Sequence, residues 1–325
     1  MKKQQSNIPV HVQYKTVSVP SNRLDEQDTI FFERELEHVK EQTYDAKFPR
    51  LKFSEGDLIP ISFEAGEGAR SITYETFTML GIAKIISDYA DDLPRGDVKG
   101  KETTVQVRDL GSSFGWNIRE IKAARRTGKS LEPRKSQAAR RAIFQLLDKI
   151  AAFGDQDSGL LGLLTHPNIT EVVLPADGTG SSTKLKDKTP DKILRDLNAI
   201  PTAIVDSTNG IESPDTMLMP HAQHELIANT PRSIHSDVSI KEWFLRNNEH
   251  IKEIIPVVKM KGADSGEDVI VCYEKNPQTM TLEIPDPFEI LPGEQRGLEM
   301  LFPTLMSTGG VVIYYPLSVA KAVGA

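Results

Sequence analysis

Residues 131–167 read LEPRKSQAARRAIFQLLDKIAAFGDQDSGLLGLLTHP, and this run decides the fold. Ala139, Ala142, Ile143, Leu146, Leu147, Ile150 and Phe153 recur at the i, i+3, i+4 spacing of one apolar helical stripe. Arg134, Lys135, Arg140, Arg141 and Lys149 flank that stripe. The spacing predicts a helix over 131–153. Pro133 suits its first turn, where a missing N–H costs nothing. Gly154 stops it. At about 1.5 Å per residue the helix spans on the order of 33 Å, enough for a structural spine.

Upstream, Ile72, Tyr74, Phe77, Leu80, Ile82, Ile85 and Ile86 make 71–86 β-like. A charged, turn-rich piece follows over 91–100, then a second β-like run over 102–110 carrying Thr103, Val105 and Val107. Two strands around a polar tip make a long hairpin. It holds little apolar sequence, and a hairpin alone is barely stable in water. Its support must come from outside. Further upstream, residues 1–29 read as an extended arm stiffened by Pro9 and Pro20. A helix is predicted over 30–43, capped by Asp28 or Thr29, with Phe32, Leu36 and Val39 inside and acids outside.

Downstream, the pattern predicts strands over 171–174, 217–219, 253–260, 268–274, 279–284, 297–306 and 309–315. Helices are predicted over 190–206, capped by Thr189, and over 240–247, holding Trp243 and Phe244. A flexible loop is expected over 178–182. Helices and strands mix without regular βαβ alternation, which makes the fold class α+β.

Bulk composition narrows the function. A chain of 325 residues, 38% hydrophobic and 26% charged, is ordinary for a globular protein large enough for two packed units. The single cysteine, Cys272, excludes an intrachain disulfide and fits a reducing compartment. A formal charge of −7 argues against a general DNA-coating role. No apolar run is long enough to cross a membrane, and the first twenty residues lack a secretion-signal core.

Several short motifs look like functional signatures but have plainer readings. Gly111-Ser112-Ser113-Phe114-Gly115 matches G-x-S-x-G, a nucleophile elbow that presents its serine to a histidine and an acid. The parallel βαβ setting is absent, so a flexible return from hairpin to body is the preferred reading. Thr127-Gly128-Lys129-Ser130 looks like the end of a P-loop, but Ala123 stands where the first glycine belongs. A solvated turn before the spine fits better. His221 and His224 lack the zinc-protease spacing, which leaves them an edge of the domain. Arg95-Gly96-Asp97 marks the hairpin tip. No cofactor, catalytic residue or metal is expected. The densest basic patch is Arg119, Lys122, Arg125, Arg126 and Lys129. It is expected to meet the acidic arm helix of a neighbouring copy in preference to DNA.

The order of these parts resembles the major capsid proteins of tailed bacteriophages, of the Hong Kong 97 type, which are related to encapsulins. Three stretches carry the resemblance: 154–167 just after the long helix, Pro214-Asp215-Thr216-Met217-Leu218-Met219-Pro220, and Leu291-Pro292-Gly293 through Gly309-Gly310-Val311-Val312-Ile313 to Pro316. The resemblance implies an arm over 1–45, the start of a peripheral domain over 46–68, and an extended loop over 69–114. It implies a peripheral domain over 115–158 and 279–307, and an axial domain over 159–278 and 308–325. The implied function is non-enzymatic self-assembly into hexamers and pentamers of an icosahedral shell around double-stranded DNA. The implied location is the virion, assembled in the bacterial cytoplasm without a membrane. Scaffolding, portal and decoration proteins are implied partners, and packaged DNA is touched non-specifically.

The expected inter-subunit contacts are Pro94, Arg95, Asp97, Lys99 and Lys101 of the hairpin, and Arg119, Lys122, Arg125 and Arg126 after it. Lys99 and Lys101 stand near the place where some relatives put the lysine of a lysine–asparagine cross-link. No matching asparagine or glutamate is found, so no cross-link is expected. An encapsulin-type compartment and, remotely, a serine hydrolase using Ser113 are the alternatives.

Overall fold

The computed structural model describes residues 48–85, 95–127, 133–233 and 235–324. Two compact units divide the chain, Met1–Pro49 and Arg50–Ala325. The expected arm, the helix over 30–43, Pro94 and Lys129 lie outside the described residues.

In the second unit, strand β1 (Ile61–Ser62) is followed by the hairpin strands β2 (Ser71–Leu80) and β3 (Asp97–Gln106). Strand β4 (Arg108–Asn117) leads into helix α1 (Ile118–Thr127) and the spine α2 (Arg134–Phe153). Then come β5 (Thr170–Val173), α3 (Pro190–Ser207), β6 (Thr216–Met219), α4 (His221–Asn229), α5 (Ile240–Asn247), β7 (Glu253–Pro256), β8 (Val269–Tyr273) and β9 (Met280–Glu283). The chain closes with β10 (Glu289–Ile290), β11 (Glu294–Arg296), β12 (Glu299–Thr308), β13 (Gly310–Ile313) and β14 (Val319–Val323).

The spine starts at Arg134, after Pro133, and ends at Gly154. Its buried face is rotated from the expected stripe. Leu146 and Ala142 are exposed, whereas Asp148, Ala151 and Ala152 are buried. Asp148 accounts for the rotation. Its Oδ1 accepts from the backbone N–H of Phe53 (2.8 Å) and Ser54 (3.2 Å), and Lys259 pairs with its other oxygen. The carboxylate joins three segments at one buried point.

The spine's last carbonyls would be orphaned without partners. The following run turns back and supplies them. Leu163 N–H donates to Ala151 O and Leu164 N–H to Ala152 O, both at 2.9 Å. The Thr165 hydroxyl donates to Phe153 O at 2.7 Å. Two backbones must nearly touch for this. A Cβ on Gly162 would lie 2.2 Å from Gly154 N.

Strand β12 pairs along its whole length with β4, from Glu299 opposite Asn117 to Thr308 opposite Arg108. Its other edge takes β11 at 299–301 and β10 at 304–305. Pro303, which has no N–H to offer a ladder, falls in the gap between those two pairings. Its carbonyl still accepts from Leu291 N–H at 2.9 Å. The residues Gly111–Gly115 are therefore the middle of a strand, which corrects the expected flexible return.

Five strands in the order β5-β14-β8-β6-β7 form the second large sheet. Its side chains alternate between two cores, as a pleated strand requires. Val269, Val271, Tyr273 and Leu218 join the spine residues Ile143, Leu147 and Ile150. Ile270, Cys272, Met217 and Met219 face α3 and α5 through Ile193, Leu197, Ile204 and Phe244. A three-stranded sheet, β1-β9-β13, completes the first core. Among helix starts, Ser239 caps α5 by accepting from Glu242 N–H at 3.2 Å. Thr189 occupies the cap position of α3 but makes no side-chain capping bond, contrary to expectation.

Candidate assembly surfaces

The β2–β3 hairpin divides into two halves with different surroundings. Opposite residues share a face, so Ile72/Val105 and Tyr74/Thr103 lie on one side and Phe77/Gly100 and Met79/Val98 on the other. Near its base, Ile72, Tyr74, Thr76, Thr103 and Val105 are half-buried. The Tyr74 ring meets Tyr314 edge-on at 5.1 Å, and the base borders a cavity of about 300 Å³ that also touches Leu161, His166 and Val312. From Phe77 onward in β2, and from Asp97 to Glu102 in β3, every residue is exposed.

The free half is not polar. Phe77, Met79 and Val98 are 64%, 84% and 57% exposed and lie together on the face turned from the seated one. The Phe77 ring lies over Gly100, where a Cβ would come within 3.1 Å of it. Leu80 and Ile82 extend the apolar run. Of the expected hairpin contacts, Lys99 and Lys101 stand opposite Thr78 and Thr76, and Asp97 opposite Leu80. Arg95 precedes β3 and is exposed. All four stand on or beside the free half. The sequence reading named these charged residues and missed the apolar ones beside them. Their alternation with polar neighbours was the available signal.

The other expected cluster falls on α1. Asn117 Oδ1 accepts from Arg119 N–H at 2.9 Å, and Glu120 Oε2 accepts from Asn117 N–H at 3.2 Å, a reciprocal cap. Lys135 Nζ bonds the same Glu120 oxygen at 3.0 Å, which holds that carboxyl below its ordinary range. No residue of α1 is buried. Arg119, Lys122, Arg125 and Arg126 are exposed, and among the described residues none of their side chains makes a hydrogen bond or ion pair. Beside the start of α1 stands Leu298, 71% exposed in the turn between β11 and β12, whose carbonyl accepts from Ile118 N–H at 2.9 Å.

The catalytic-looking motifs come to nothing in this setting. Ser113 sits mid-strand, opposite Pro303, and among the described residues its hydroxyl meets no histidine or carboxylate. A nucleophile elbow needs a sharp strand-to-helix turn, and β4 has none at that point. Thr127 ends α1 with its hydroxyl on Ala123 O at 2.9 Å, and Gly128–Ser130 lie outside the described residues. His221 and His224 lie in the first turn of helix α4, His221 exposed and His224 half-buried. The His224 ring nitrogen lies 2.9 Å from Lys241 Nζ, and burial first, then that ammonium, lowers its pKa. Cys272 is fully buried, which pushes its thiol pKa far up.

A family model described as major capsid protein matches residues 81–324. Among solved structures, the chain is similar to the capsid of Myoviridae phage XM1, with a TM-score of 0.76 and 19% identity over 92% of this chain and 100% of that one. It is also similar to the capsid of a native GTA particle, at TM-score 0.62 and 10% identity over 93% and 100% of the two chains. A virus-like particle from Pyrococcus furiosus matches at TM-score 0.51 and 12% identity, over 84% and 95%. At such identities these likenesses establish the fold. No curated protein matches the chain.

Proposed function

This chain belongs to the major capsid protein family and has the Hong Kong 97-type α+β fold, and from that premise we propose that it builds a tailed-phage head by repetition. Copies gather into hexamers and pentamers, and these close into an icosahedral shell around double-stranded DNA. Family and fold are those of a structural protein, not an enzyme. In this reading the hairpin is the extended loop, α2 and the β4–β12 sheet form the peripheral region, and the five-stranded sheet with α3–α5 forms the axial region. The two cores support that division, although they meet across one shared sheet.

One observation carries the proposal: the distal hairpin leaves Phe77, Met79 and Val98 largely exposed on one face. Burial is worth roughly 25 cal/mol per Å², so an interface of 1,000 Å² yields ~25 kcal/mol before ordering and association costs. Repeated around each subunit, modest contacts suffice for a shell. Lys99, Lys101, Arg95 and Asp97 would flank the apolar contact on the neighbouring copy, with Pro94 at the turn. Scaffolding, portal and decoration proteins are the further partners of this reading, with assembly in the bacterial cytoplasm. The encapsulin-type alternative shares the fold, and the match to the major capsid family favours the phage head.

The test pairs wild type with the Phe77→Asp, Met79→Asp double variant, co-expressed with scaffold where needed. Negative-stain microscopy should show closed particles for wild type and none for the variant. The unassembled subunits should melt alike, within about 0.5 kcal/mol, because both substituted side chains are mostly exposed in the free subunit. Normal particles from the variant would refute the assigned role of the hairpin. Failure of wild type to form particles under every condition would refute the shell itself.

A further inference from the structure

Helix α1 is built against its own stability. It has ten residues, and isolated helices that short are marginal in water. Tertiary packing lends it little, since Ile118, Ile121 and Ala124 are only half-buried and none of its residues is fully buried. Its cations recur three and four apart, Arg119 to Lys122 and Lys122 to Arg125 and Arg126, the spacing at which like charges repel. The single acid, Glu120, is already taken by Lys135. The helix therefore calls for an anionic partner.

The charge distribution of the chain identifies one. Residues 118–141 hold nine basic and two acidic residues, a net +7, in a chain whose total is −7. Residues 25–45 hold eight acidic and two basic residues, a net −6. The two stretches complement each other nearly charge for charge, and every copy carries both. The acidic stretch also carries Phe32, Leu36 and Val39 at helical spacing. The basic surface offers apolar contact to match, with exposed Leu298 beside half-buried Ile118 and Ile121.

We infer that the exposed face of α1 binds the acidic segment 25–45 of a second copy of this chain, so that each shell contact is zipped by an Arg/Lys row on one subunit and an Asp/Glu row on the next. The inference rests on the shell reading above. DNA is the weaker partner: outside 118–141 the chain carries a net −14, from 30 basic and 44 acidic residues, which repels a polyanion approaching the rest of the subunit.

Reciprocal charge reversal in the full-length protein tests this. One variant carries Arg119→Glu, Lys122→Glu and Arg126→Glu; the other carries Glu33→Lys, Glu35→Lys and Glu37→Lys. Each alone should lower particle yield by at least about tenfold. Combining all six substitutions in one chain should restore particles, because every reversed face then meets a reversed segment on the next copy. Circular dichroism of the unassembled variants establishes that both are folded. If wild type forms particles and the α1 variant does so equally well, the inference fails while the shell reading stands. It also fails if the six-substitution variant gives no rescue, or if α1-reversed particles form normally and lose only retained DNA. Absence of wild-type particles would instead overturn the shell reading.

Discussion

Lys188 and Asp196 form a salt bridge sealed from water, with Nζ 2.5 Å from Oδ2 and both side chains nearly fully buried. Nζ also donates to Pro175 O at 2.8 Å, and Arg195 clamps the other Asp196 oxygen at 2.7 Å. Arg195 reaches on to Asp177, whose carboxyl it holds below the ordinary range. Taking one member away leaves a buried charge without its partner, so Asp196→Ala should cost roughly 3–5 kcal/mol in urea unfolding. The double variant Lys188→Met, Asp196→Leu should cost clearly less, since both charges leave together. A double variant as unstable as the single one would contradict this account.

Glu212 makes the opposite case. Burial first, and then a shared hydrogen bond and repulsion from Glu274, raise its pKa above the ordinary 4.5. A carboxylate with a raised folded-state pKa weakens the fold as pH climbs through the interval above its ordinary value, and weakens it least in acid. Glu212→Gln should therefore raise the melting temperature at pH 7, with the advantage vanishing below about pH 4. An unchanged melting temperature at pH 7 would dismiss the repulsion. Glu212 and Glu274 stand 62 residues apart in the chain, and no spacing rule announces such a pair.

At the scale of elements, the junction after the spine is the most constrained. Gly159 has φ +73° and open space around it, so Gly159→Ala should cost only the left-handed backbone penalty of about 1–2 kcal/mol. Gly162→Ala must in addition force apart two backbones that hold the helix end, because the new Cβ would sit 2.2 Å from Gly154 N and 2.6 Å from Phe153 C. Thermal melts should rank Gly162→Ala far below Gly159→Ala. Equal melting temperatures would mean the junction is not the tight seam described. The sequence marked Gly154 as the helix stop. It did not say that the loop's N–H groups return to the helix's own carbonyls.

For the whole molecule, the contrast lies between a deep double core and an unsupported projection. Strand β8 is buried on both faces, whereas the distal hairpin is exposed on both. Hydrogen exchange should reflect this before and after assembly. Amides of 77–80 and 97–102 should exchange quickly in free subunits and become protected in particles, while those of β8 stay protected in both. Fast exchange of the hairpin in finished shells would show that no neighbour covers it.

The sequence by itself determined the elements whose signal is local. The spine, α3, α5, the hairpin and most buried strands follow from apolar period and from glycine and proline punctuation, and the α+β class follows from their order. Tertiary structure decided the rest. It rotated the spine toward Asp148, placed Gly111–Gly115 in a strand, and added β14, whose alanines carry little strand preference yet fill the seam between β5 and β8. It also separated the seated half of the hairpin from the free half. The physical reason is the same in each case: period and propensity are written along the chain, whereas burial depends on which distant segment arrives to cover a face.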